Sequence, residues 1–191
     1  TLAEVQGPSP IREWREVAVL AERIEQVVHE WQPDVLHAHS PALNGLAALR
    51  VAEKTGLPLV YEIRAFWEDA AVGNGTGKEN SPRYWLTRQL ENHVVNGADA
   101  VAVICEGLRS DLIGRGVKPE KITVSPNGVD LELFGEPPAR DESLLAELGL
   151  TGKPVLGFIG SFYDYEGLDD LIDALPILQA FHPDVHLLLV G

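Results

Sequence analysis

Val17, Leu20, Ala21, Ile24, Val27, Val28 and Trp31 recur at intervals of three and four, the spacing that puts side chains on one face of an α-helix. Ser9-Pro10 opens this helix, with serine as cap and proline at the first helical position, and Gln32-Pro33 closes it. Beyond it the apolar residues gather into short runs that read as strands: Val35 to His39, Leu57 to Ile63, Ala100 to Cys105, Ile122 to Ser125, Val155 to Ile159 and His186 to Val190. Between them the pattern predicts a helix from about Ala42 to Thr55, closed by Gly56 at a left-handed cap. Another starts at Ser81-Pro82, carries Leu86, Leu90 and Val94 on one face, and ends at Asn96-Gly97. Shorter helices are expected over Leu108 to Ile113 and Glu142 to Leu148. The last, Leu168 to Phe181, contains Pro176, which should kink or split it.

Strands alternating with helices predict an α/β fold with a parallel sheet. Residues 64–82 are left as a long loop containing Gly73-Asn74-Gly75-Thr76-Gly77, and loops of that length are usually functional. After Asp130 the composition shifts, and Leu131 to Asp141, with Phe134-Gly135-Glu136-Pro137-Pro138, reads as a linker. The expected division is therefore one unit over residues 1–130, a linker with a short helix over 131–152, and the start of a second α/β unit over 153–191.

Composition narrows the function classes. With 191 residues and 45% hydrophobic content the chain can bury a sizeable core. A net charge of −14 argues against nucleic acid as a partner and against a polybasic membrane anchor. No apolar run approaches a membrane span. The single cysteine, Cys105, rules out an intrachain disulfide; it reads as a buried strand end in a protein of the reducing cytoplasm. The chain begins at Thr1, lacks Met and stops directly after the apolar run Leu187 to Val190, so an internal fragment is expected, inactive by itself and prone to self-association.

The candidate chemistry lies where strands run out into loops, the edge at which open parallel sheets bind ligands. His37 and His39 share one strand face; no Cys, His or Asp cluster nearby in the sequence offers further ligands for a metal. His37 reads as a satisfied core histidine, whereas His39, at the strand's carboxyl end, can reach a ligand. Glu62 and Arg64 end the next strand and can contact hydroxyls or phosphate, or pair with each other. Trp67, Glu68 and Asp69 place an aromatic beside two carboxylates, a set suited to stacking on a sugar ring and bonding its hydroxyls. Glu106 sits at a helix start, either as a favourable charge there or as a ligand contact. The glycine-rich Gly73 to Lys78 is not a phosphate loop, because Val72 stands where the pattern needs Gly and Glu79 where it needs Ser or Thr.

Pro126-Asn127-Gly128-Val129-Asp130, together with Pro33 to His39 upstream and Gly157-Phe158-Ile159-Gly160-Ser161 downstream, resembles the family 4 nucleotide-sugar glycosyltransferases of the GT-B fold. The resemblance covers roughly residues 10 to 191. It implies parts of two Rossmann-like doubly wound units: the later part of an acceptor domain and the opening of a donor domain. The implied activity is transfer of a sugar from a nucleotide-diphosphate donor to a cell-surface glycan or lipid-linked acceptor, with retention and without metal or other cofactor. It would take place in the cytoplasm, possible peripheral contact with the inner face of the membrane included. In the family, the histidine matching His39 lies close to the transferred sugar, which makes it the candidate catalytic residue. Glu62, Arg64, Trp67, Glu68 and Glu106 are the expected acceptor or sugar contacts.

Asn127 and Gly128 match the interdomain crossover, and the loop Gly160, Ser161, Phe162, Glu166 and Gly167 matches the seat of the donor diphosphate. Family members usually carry Arg and Lys where this chain has Ser161 and Glu166. A sugar-nucleotide epimerase on the same fold, or a non-catalytic sugar- or partner-binding module, are the alternative readings.

Overall fold

A computed structural model describes residues 8–191, the side chains of Ser9 and Pro10 excepted. The chain divides into two compact units. One comprises the described residues up to Val72 and then Thr76–Gly128; the other comprises Gly73–Gly75 and Val129–Gly191.

The first unit opens with α1 (Ser9–Trp31), which follows Pro8 in extended backbone; the expected cap, the Ser9 side chain, lies outside the described residues. Then come β1 (Leu36–His39), α2 (Ala42–Thr55), β2 (Leu59–Ile63), α3 (Trp67–Gly73), α4 (Pro82–Gly97), β3 (Ala100–Val103), α5 (Glu106–Gly114) and β4 (Ile122–Val124). The four strands form one parallel sheet in the order β1-β2-β3-β4. Helix α2, the pair α3 and α4, and helix α5 each carry the chain back to the start of the next parallel strand, as such a sheet requires. Gly56 ends α2 at φ 74°, and the Ser81 hydroxyl caps α4 by accepting the Tyr84 amide at 3.2 Å. The Asp99 carboxylate accepts the Leu59 amide at 2.8 Å, fixing the start of β2.

One sheet face supplies the core. Leu59, Tyr61 and Ile63 of β2 are fully buried with Val101 and Val103 of β3, against Val94 and Val95 of α4 and Leu112 of α5. Helix α2 approaches through small residues, Ala47 and Ala48 beside Gly45. A methyl group at Gly45 would lie 2.5 Å from Val94 Cγ1 and 2.8 Å from Tyr61 Cε2, both rigidly packed. Gly45→Ala should therefore destabilise by about 1–3 kcal/mol through overpacking. Gly114→Ala, where a methyl meets open space, should be neutral or slightly stabilising. Urea midpoints of the two variants test the difference.

The second unit contains α6 (Glu142–Glu147), β5 (Val155–Ile159), α7 (Leu168–Phe181) and β6 (His186–Val190), with β5 and β6 paired in parallel. The Asp141 carboxylate caps α6 through the Leu144 amide at 3.0 Å.

Three local expectations are corrected. Residues 64–82 are not a continuous loop, because α3 forms within them. Cys105 is exposed rather than buried: β3 stops at Val103, and the cysteine occupies the extended position before α5. Helix α7 runs through Pro176 as one element, so of the two expected outcomes, a kink or a split, the split does not occur.

Candidate functional site

The other face of β1 and β2 ends in a cluster of imidazoles and a carboxylate. Alternation along β1 buries Ala38 and leaves His37 and His39 half-exposed on the same side. Their rings stack at 4.7 Å, inclined by 20°. The strand register sets His39 opposite Glu62. Glu62 Oε2 lies 3.1 Å from His37 Nε2, while Oε1 lies 3.5 Å from His39 Nδ1 and 3.4 Å from Arg64 Nε. The carboxylate is largely covered and its three partners reach toward solvent. Glu62 is thus the common neighbour of the two rings and the guanidinium. Arg64 Nη2 also donates to Asn127 Oδ1 at 3.2 Å, and the Arg64 amide donates to the Ser40 hydroxyl at 3.3 Å.

Of the residues singled out in the sequence, the structure thus brings His39, Glu62, Arg64 and Asn127 together at the carboxyl ends of the strands. His37 is corrected from a core histidine to a half-exposed partner of Glu62. It escaped sequence reasoning because the neighbour that claims it lies on another strand. A cavity of about 450 Å³ lined by Val28, Gln32, Pro33, Thr55 and Leu57 lies at the opposite edge, before β1 and β2 begin, away from this chemistry.

The remaining candidates of the first unit fall elsewhere. Trp67 is exposed on α3, but Glu68 is turned into the core, with its Oε1 2.8 Å from Arg115 Nη1. The Arg115 guanidinium lies 3.8 Å from the centre of the Phe66 ring. As a buried partner of Arg115, Glu68 is withdrawn from the expected sugar contacts. Asp69 accepts the Tyr84 hydroxyl at 2.7 Å. Glu106 is exposed in the first turn of α5, 3.7 Å from Arg109, which suits the helix-terminus role.

Beneath α3 and α4 lies a buried polar group absent from the sequence reading. The Tyr61 hydroxyl donates to Glu91 Oε1 at 2.7 Å, and Glu91 Oε2 and Glu68 Oε2 are buried without a hydrogen-bond partner. Burial pushes the Glu91 carboxyl from its ordinary 4.5 up to about 7; the charge of Glu68 adds to this, while the Tyr61 hydrogen bond and Arg115 oppose it. A carboxyl raised in the folded state favours folding below its unfolded value, and that contribution is lost as pH rises through the folded value. The stability from Glu91 should accordingly be complete below about pH 4.5, fall by about 3 kcal/mol between there and about pH 7, and level off above. Glu91→Gln cannot ionise, so the difference in urea stability between it and the parent should grow from pH 5 to 8. A pH-independent difference would contradict the assignment.

In the second unit, β5 runs into the loop from Gly160 to Gly167. The Gly160 amide donates to Val190 O at 2.9 Å and the Tyr163 amide to Ser161 O at 3.1 Å, so neither is free for a ligand. Asp164–Glu166 form one 3₁₀ turn, and Gly167 enters α7 at φ 67°, where a side chain would be strained. Ser161, Phe162 and Glu166 are exposed. The first turn of α7 carries Asp169 and Asp170 and no cation.

Residues 3–128 match the glycosyl transferase 4-like domain. The chain belongs to that family. Among curated glycosyltransferases, alpha-maltose-1-phosphate synthase of Mycolicibacterium smegmatis is 29% identical over 164 residues, covering 81% of this chain and 39% of the relative. D-inositol 3-phosphate glycosyltransferase of Segniliparus rotundus is 32% identical over 171 residues, covering 87% of this chain and 37% of the relative. This glycosyl transferase 4-like chain thus spans about two fifths of the length of these relatives.

Among solved structures, Anabaena Alr3699/HepE in complex with UDP-glucose superimposes with a TM-score of 0.65 at 23% identity, over 90% of this chain and 43% of that one. UDP-GlcNAc 2-epimerase from Neisseria meningitidis bound to UDP-GlcNAc gives 0.53 at 13%, over 98% and 49%. At these identities the likeness establishes the fold: Rossmann-like α/β units of the GT-B type. Among the described residues no helix is long and apolar enough to cross a membrane.

Proposed function

We propose that this chain is part of an enzyme that transfers a sugar from a nucleoside-diphosphate donor to a glycan or lipid-linked acceptor, with retention and without a metal in the chemical step. The observation that carries this reading is the cluster of His39, Glu62, Arg64 and Asn127 at the carboxyl edge of a parallel sheet, in a family whose relatives are glycosyltransferases. The first unit serves as the acceptor side and the second as the start of the donor side. His39 contacts the transferred sugar, and Glu62 holds its ring in position. Arg64 binds hydroxyls or phosphate, and Trp67 offers a stacking surface. Catalysis then rests on positioning and on stabilising the departing diphosphate.

The donor loop supports this only in part. With Gly160 and Tyr163 committed to backbone bonds, the diphosphate must use the amides of Ser161 and Phe162 and the first turn of α7. Cations from outside this loop have to balance it, with Glu166 turned away. The enzyme works in the reducing cytoplasm on an acceptor at the membrane's inner face.

The test is incubation of the complete protein with UDP-, GDP- and ADP-sugars labelled in the sugar. Label moving to an added glycan or lipid acceptor, with the anomeric configuration kept, supports the proposal. Label recovered as an epimerised nucleotide sugar would favour the epimerase, and an unchanged donor would favour a binding module.

A further inference from the structure

We propose that His37, His39 and Glu62 form a binding site for a divalent transition-metal ion of the zinc type, one that competes with the sugar contact proposed for His39 and takes no part in the transfer step. One ligand atom from each residue lies within 4.8 Å of the others. A tetrahedral zinc ion with bonds of about 2.0–2.1 Å sets its ligand atoms roughly 3.3 Å apart. The 3.1 Å between His37 Nε2 and Glu62 Oε2 already meets that spacing. The His39 ring has to close by an ångström or so, through rotation of a half-exposed side chain.

Sheet geometry is what makes the three ligands one site. Residues two apart on a strand point the same way, and the stacked rings of His37 and His39 each bring one nitrogen, Nε2 and Nδ1, to within 3.5 Å of the Glu62 carboxylate. Glu62 approaches from β2 because the register puts it beside His39. Two strands joined by backbone hydrogen bonds hold the ligands, so little ordering is required on binding.

The ligand set also fixes the kind of ion. Two imidazoles and one carboxylate suit zinc, copper, nickel or cobalt, whereas magnesium and calcium seek an all-oxygen shell. Three protein ligands leave a coordination position open to water on the solvent side. Arg64 is the resident competitor: its Nε shares Glu62 Oε1, and its charge opposes a second cation. A metal bound through Oε2 leaves that pair in place, so Arg64 weakens the site without closing it. An ion seated here would occupy a nitrogen of His39, which excludes the sugar contact proposed above.

The experiment is zinc titration by calorimetry on the full chain, first freed of metal by chelator. It is repeated in a large excess of magnesium and on His37→Ala and Glu62→Gln, with circular dichroism as the check on folding. Cobalt added to the parent should broaden the imidazole NMR signals of His37 and His39. One saturable ion per chain, insensitive to magnesium and weakened at least tenfold by each substitution, is the expected result. Absence of saturable binding, or binding that both folded variants retain at parental strength, would overturn the site. Neither readout involves transfer, so the metal site and the transferase reading can fail separately.

Discussion

Arg115→Ala is expected to lower the unfolding free energy of the first unit by about 3–5 kcal/mol, the cost of leaving one member of a buried ion pair alone. The side chains of Arg115 and Glu68 are 2% and 0% exposed, so solvent cannot take over the lost partner. The substitution also removes the cation from the Phe66 ring and frees Asp111 from its pair one helical turn away. Against the roughly 5–15 kcal/mol available to a typical domain, such a loss leaves the unit marginal. The measurement is chemical denaturation near neutral pH. Glu68→Gln in the Arg115→Ala background should recover part of the loss, because it removes the stranded charge. If Arg115→Ala unfolds with the parent's midpoint, the pair is open to water in solution.

The second large effect concerns turnover. On the reading proposed above, His39→Ala in the complete protein should reduce the rate of transfer roughly a hundredfold or more, as removal of a positioned catalytic group does. Stability should change little, because the imidazole is half-exposed and its contact, 3.5 Å from Glu62 Oε1, lies at the sheet's edge on the face away from the core. Loss confined to kcat would mark a contact made in the transition state; a rise in KM alone would mark simple sugar binding. Turnover equal to the parent's would remove His39 from the site.

The fold was legible wherever a signal was local. Gly56, Ser81 and Pro82 announce helix ends through their own backbone preferences, and the strands of the sheet stand out as apolar runs between such signals. Helix α3 was not legible. What holds it in place is Arg115, 47 residues further on, and no window around Trp67 contains that partner. The same reason hid the inward turn of Glu68 and the Tyr61–Glu91 pair. His39, Glu62 and Arg64 could be nominated singly because each ends a strand. That they form one cluster depends on which strands are neighbours and in what register, and hydrophobic periodicity carries no such information. Cys105 was misjudged by two residues of strand length, enough to move it from core to surface.

The bond between Arg64 and Asn127 bears on how the first unit ends. Strand β4 ends at Val124, and Ser125 is still held by Val103 O at 2.8 Å. The Arg64 side chain reaches two residues further and fastens Asn127. A single exposed arginine at the end of β2 thereby carries the hold of the sheet past its last strand, to the residue before Gly128, where the first unit ends.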